Sequence, residues 1–158
     1  MTEDPSFTDY LQARLSHLTN VQGIIARLGG YSATLKGLSI TLSGAAVALT
    51  NSSEPRLFVG LGSAVCLSFA LLDGYYLTLE RDFRSLYKEV SDRPIADAFS
   101  LGITPQPFSV FRYIKSLFSP SVLGFYFLIL LLLLLATVTF HSEAKENPAP
   151  PVQITITI

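Results

Sequence analysis

From Ser121 to Phe140 the chain reads SVLGFYFLILLLLLLATVTF, twenty residues without a charge and nearly saturated with Leu, Ile, Val and Phe. At about 1.5 Å of rise per residue, a helix of this length crosses the roughly 30 Å hydrocarbon core of a bilayer. A buried helix of a soluble protein seldom needs so long an uninterrupted apolar run, so the sequence predicts a membrane protein. Charged residues make up 15% of the chain against 49% hydrophobic, which leaves little solvated surface. The N-terminal MTEDPSFTDYLQARLSH is acidic and polar, without the basic and apolar regions of a cleavable secretion signal.

Two more apolar stretches precede this one, Gly37 to Thr50 and Leu57 to Leu79, separated by the turn-like NSSEPR. They predict a tight helical hairpin. The first is short and rich in Ser, Thr, Gly and Ala, a poor lipid-facing helix unless Ser43, Gly44, Ala45 and Ala48 let another backbone approach. Gly60, Gly62, Ser63 and Ala64 offer the matching small surface on the second. The predicted class is therefore an all-α membrane protein. It has three transmembrane helices, cytoplasmic amphipathic helices and a short C-terminal β-strand.

Basic residues set the orientation. Arg14, Arg27 and Lys36 precede the first span, and Arg81, Arg84, Lys88, Arg93, Arg112 and Lys115 lie between the second and third, against Arg56 and Lys145 on the other side. The positive-inside rule then places the N-terminus in the cytoplasm and the C-terminal tail outside. The expected parts are a cytoplasmic helix over 1–33, a transmembrane hairpin over 34–79 and a cytoplasmic and interfacial segment over 80–119. A third span over 120–141 and an extracytoplasmic tail over 142–158 complete the chain.

Leu11, Leu15, Leu18, Val21, Ile25 and Leu28 recur at threes and fours and predict a helix with one apolar stripe, interrupted at Gly29-Gly30 before the membrane. Tyr76, Leu79, Phe83, Leu86 and Val90 continue the second span into the cytoplasm as far as Arg93-Pro94. The plain reading is that these stripes pack on each other. Pro105 and Pro107 forbid a continuous helix further on, and Phe108, Phe111, Ile114, Leu117 and Phe118 with Arg112 and Lys115 predict a short interfacial helix leading into the third span. The same aromatic and basic residues could stack and neutralise single-stranded nucleic acid.

Asp73 is the most costly residue, about two helical turns inside the second span, where an unpaired carboxylate costs a few kcal/mol. Lys36, at the cytoplasmic end of the neighbouring span, can reach it, and the pair would lock the hairpin or gate a water path. At the other end, SEAKENPAPP is a Pro-rich spacer and VQITITI alternates apolar and polar residues as a strand does. A lone strand needs partners, and the same tails of neighbouring subunits, through Val152, Ile154, Ile156 and Ile158, could supply them; a disordered end is the plainer alternative. The small residues Gly44, Ala48, Gly60 and Gly62 are the other candidate oligomer contacts.

No catalytic constellation is present. Cys66 stands alone, His17 and His141 fall on opposite sides of the expected membrane, and no phosphate-binding loop, paired-Cys motif or nucleophile elbow occurs. The sequence points away from an enzyme and calls for no cofactor and no metal.

The strings GIIARLGGYSATLKGLSITL and LLDGYYLTLERDFRSLYKEV, with LKG at Leu35 to Gly37, LDGYYL at Leu72 to Leu77 and the following Glu80-Arg81, resemble small bacterial membrane proteins of anti-phage defence loci. The resemblance covers about half the chain. It is to two-span effectors paired with nucleotide-synthesising enzymes, and to the channel effector of Hailong defence. It implies a homo-oligomeric channel whose opening depolarises an infected cell, held shut by single-stranded DNA from a partner nucleotidyltransferase or opened by a cyclic nucleotide. Either ligand is anionic and cytoplasmic, and Arg81, Arg84, Lys88, Arg112 and Lys115, with stacking from Phe111 or Tyr113, are the candidate contacts. A non-conducting anchor that recruits a cytoplasmic partner, or a transporter subunit, would use the same spans. A pore would have to be lined by the Ser and Thr of the first span or closed by hydrophobic residues that gate by dewetting.

Overall fold

The computed structural model describes residues 6–49, 55–94 and 107–146. They form α1 (Phe7–Ala48), α2 (Pro55–Asp92), α3 (Val110–Leu117) and α4 (Phe125–Glu146), with a widened π turn, Pro120–Gly124, leading into α4. Among the described residues there is no strand. The tail VQITITI lies outside them, and with it Val152, Ile154, Ile156 and Ile158.

α1 and α2 make an antiparallel hairpin, its two arms about 63 Å and 57 Å long. A capping box opens α1. The Ser6 hydroxyl accepts the Asp9 backbone N–H at 3.3 Å, and the Asp9 carboxylate accepts the Ser6 N–H at 2.8 Å. The Ser6 hydroxyl, which also donates to Asp9 Oδ2 at 2.8 Å, and the Ser6 N–H hold the Asp9 carboxyl below its ordinary value of 3.8. α2 stops at Asp92, just before Arg93-Pro94, because Pro94 disfavours helical geometry in the residue before it.

The break expected at Gly29-Gly30 does not occur, because α1 is one helix throughout. Two glycines cost about 2 kcal/mol relative to alanine in a helix. The turns on either side are held on α2, by Gln22 donating to the Tyr87 hydroxyl at 3.0 Å and by the Tyr31 and Tyr76 rings at 5.4 Å, so packing outweighs propensity. The inward face also differs from the expected leucine stripe. Leu11 and Leu15 are exposed, whereas His17, Val21, Leu28, Ser39, Ser43 and Ala46 are buried.

α4 lies along the far half of the hairpin. Val122, Tyr126, Ile129 and Leu133, spaced by fours and threes, form its inner stripe and pack with Cys66 of α2. Its other sides, including Phe127, Leu128, Leu132 and Leu135, are exposed, as are Leu57, Leu61, Leu67 and Leu71 of α2. An outward apolar band of this extent suits lipid and not water. α2 alone is long and apolar enough to cross a membrane, and α3 with the following helix passes the same test as a pair bent by 45°. α1 is not apolar enough to do so.

The bend is an elbow. Leu117, at the end of α3, seats on Gly74 of α2, where a Cβ would run into the leucine side chain. Pro120, without an N–H, then opens the π turn. Around the elbow runs an aromatic chain, Tyr76 to Tyr75 at 5.8 Å, Tyr75 to Phe108 at 6.1 Å and Phe108 to Tyr113 at 6.0 Å, of the kind found at membrane interfaces.

Candidate functional site

Lys36 and Asp73 are brought together inside the hairpin. Lys36 Nζ lies 2.7 Å from Asp73 Oδ2, donates to Ser32 Oγ at 2.8 Å and stands 5.9 Å from the centre of the Phe125 ring, while Ser32 Oγ donates to Asp73 Oδ1. The Asp73 carboxylate is fully buried and the Lys36 side chain is 21% exposed. Three helices therefore meet at one ion pair. Above it Ser39 and Ser43 continue the inward face of α1, and the buried Tyr126 hydroxyl faces Asp73 and Ser39. Ser32, Lys36, Ser39 and Ser43 recur by four, three and four, which puts one polar seam on one helix side. Neither Tyr126 nor Ser32 stood out in the sequence, and Ser43 did only as a small residue, although that spacing carried the signal.

The seam lies within the protomer, where Ser39 and Ser43 are buried. Thr34 and Thr41 face outward instead. Each donates to its own backbone, to Gly30 O at 3.0 Å and Gly37 O at 3.1 Å. The small residues divide in the same way. Gly62, expected in oligomer contacts, is spent inside the hairpin, where a Cβ would come within 2.8 Å of Ala46 Cβ. Gly44, Ala48 and Gly60 are exposed.

Gly44 belongs to a longer series. Gly23, Gly30, Gly37 and Gly44 stand seven residues apart, and an added Cβ would meet nothing within 4 Å at any of them. With Thr19, Ala26, Ala33, Thr41 and Ala48 they form an exposed stripe of small residues, flanked by the exposed Arg27 on one side and Ile40 on the other. The four glycines of this stripe cost about 3 to 4 kcal/mol of helix propensity relative to alanine, and no side chain of the protomer packs on them.

The candidate ligand residues do not form one surface. Arg81, Arg112 and Lys115 converge on a cleft of about 540 Å³ between α2 and the elbow. Arg84 is engaged by Glu80 at 2.6 Å, and Lys88 stands exposed further along α2. Phe111 is exposed on α3, outside the cleft lining. Tyr113, expected to stack on bases, instead donates its hydroxyl to the Leu71 carbonyl at 3.1 Å and anchors α3 to α2. Sequence reasoning also missed Asp82 and Ser119. Asp82 lies 3.4 Å from Arg112, and Ser119 brings a buried hydroxyl without a hydrogen-bond partner into the cleft lining. Among the described residues no group of His, Cys, Asp or Glu is placed to hold a metal ion. No protein-family model, curated protein or solved structure matches this chain.

Proposed function

We propose that the chain is a homo-oligomeric membrane channel, an anti-phage effector that depolarises the inner membrane of an infected bacterium. The observation that carries the reading is the outward face of α1. A face of Gly23, Gly30, Gly37 and Gly44 gains almost nothing from lipid and allows the closest approach of another helix. Its seven-residue period, 3.5 per turn over two turns, suits a left-handed array of α1 helices around a common axis. In this reading α1 is the third span, held in the bilayer by α2 and α4, with the N-terminus cytoplasmic and the tail outside. The narrow lining of Gly, Ala and Thr forms the pore or its closed gate.

The resemblance to defence effectors supplies the trigger, an anionic single-stranded DNA or cyclic nucleotide made by a partner nucleotidyltransferase and acting on the cytoplasmic cations. A second reading, a non-conducting anchor for a cytoplasmic partner, draws on one observation. Phe7, Leu11 and Leu15 are exposed at the cytoplasmic end of α1, on an apolar edge that a partner could cover.

Ion flux from liposomes containing the purified full chain separates the two. A channel conducts, and Gly37→Leu with Gly44→Leu abolishes both flux and oligomer mass while leaving helix content unchanged. An intact oligomer without flux, with and without added oligonucleotide or cyclic nucleotide, overturns the channel reading in favour of the anchor.

A further inference from the structure

The elbow cleft holds more than its charges. Arg81, Arg112 and Lys115 supply three cations against the single carboxylate of Asp82, which already engages Arg112 at 3.4 Å. Arg81 is oriented by donating to Ser116 Oγ at 3.1 Å, and Ser116 is itself buried. Ser119 is 95% buried by its 5% exposure, and its hydroxyl has no partner. A buried hydroxyl left unpaired costs about 1 to 3 kcal/mol, so its presence beside two guanidinium groups and an ammonium marks a place for an acceptor. That donor set matches a phosphate group, with several oxygens to share among planar forks, a point charge and a hydroxyl.

Position decides the source. The cleft opens where the apolar run of α2 gives way to Glu80 and Arg81, at the depth where headgroups lie beside the interfacial helix. The exposed Phe118 and Pro120 contribute its apolar wall. Further along α2 Arg84 pairs with Glu80 and Arg93 with Glu89, and Lys88 stands by itself between them, so no continuous track of cations leads out for a long polyanion. One compact cation cluster with an apolar wall suits a single phosphate attached to acyl chains. We infer that the elbow cleft binds the phosphate of an anionic phospholipid, with Arg81, Lys115 and Ser119 as its ligands and Arg112 held in place by Asp82. The inference requires only that α2 and α4 lie in a bilayer. It is independent of conductance.

The test is native mass spectrometry of the purified full chain from neutral-detergent micelles containing equal phosphatidylglycerol and phosphatidylcholine. The wild type should retain phosphatidylglycerol about tenfold in preference, and Arg81→Gln with Lys115→Gln should remove that preference, as expected for loss of charge-assisted hydrogen bonds. Arg84→Gln with Arg93→Gln removes the same charge outside the cleft and should leave the preference intact. Ser119→Ala, which deletes only the unpartnered hydroxyl, should lower it severalfold, and it decides the matter if the double variant loses its helix content. Equal retention of the two lipids by the wild type overturns the inference, as does a preference that survives the cleft variants. Binding of a labelled oligothymidylate that depends on Arg81 and Lys115, without lipid preference, also overturns it and assigns the cleft to nucleic acid.

Discussion

The two long faces of α1 are built from similar small and polar residues and do opposite things. Inward, Ser32, Lys36, Ser39 and Ser43 lie along α2 and α4 around a paired charge. Outward, Gly23, Gly30, Gly37 and Gly44 present bare backbone to open space. Composition cannot separate these roles; direction around the helix does. The inner face is specific because each charged group would be expensive alone, and the outer face is generic until a second helix lies against it.

The largest test of that contrast is Asp73→Ala. It leaves Lys36 without its counter-charge and should cost about 3 to 5 kcal/mol, seen as a lower thermal unfolding midpoint by circular dichroism in detergent and a lower folded yield. Lys36→Asp combined with Asp73→Lys should recover part of the loss; singles that match the wild type would show that the inner face does not depend on the pair.

Glycines on the two faces should then part company. Gly62→Val pushes a side chain against Ala46, whose Cβ moves only with its backbone, and should destabilise the protomer by about 1 to 3 kcal/mol. Gly37→Leu meets nothing and should leave the protomer as stable or up to about 1 kcal/mol more so, from better helix propensity alone, while lowering oligomer mass in mild detergent. Equal damage to the protomer from both changes would erase the distinction between the faces.

The smallest effect lies at the tip of α1. Because the folded Asp9 carboxyl titrates below its ordinary 3.8, its capping contribution is present above that value and fades as pH falls through the lower folded value. Amide exchange at Asp9 and Tyr10 should quicken over that acid range in the wild type, and Ser6→Ala should make it fast at every pH. Both faces should stay protected throughout.

The charged pair at the centre of the inner face was legible in the sequence because cost is legible. A carboxylate in an apolar run demands a partner, and Lys36 lay at the right depth. The stop at Pro94 and the short basic and aromatic helix after Pro107 follow from proline chemistry and amphipathic spacing in the same way. Continuity through Gly29-Gly30 was not legible, since it depends on contacts with Tyr76 and Tyr87 more than forty residues away. The glycine period was visible in the letters, but only the placement of α2 and α4 on the opposite side of α1 shows it to be outward. Ser119 carries no sequence signal; its isolation comes from the elbow that buries it.

The Lys36 and Asp73 pair also bears on how such a chain is made. In the proposed three-span arrangement α1 crosses the bilayer although it is too weakly apolar to partition there on its own, and it carries a lysine whose counter-ion lies on the next helix. Lys36 is synthesised before Asp73. In that arrangement the first helix waits at the insertion machinery until the second arrives, and the two enter lipid as one electrically neutral unit. A ribosome stalled between them would release a first segment that stays in water.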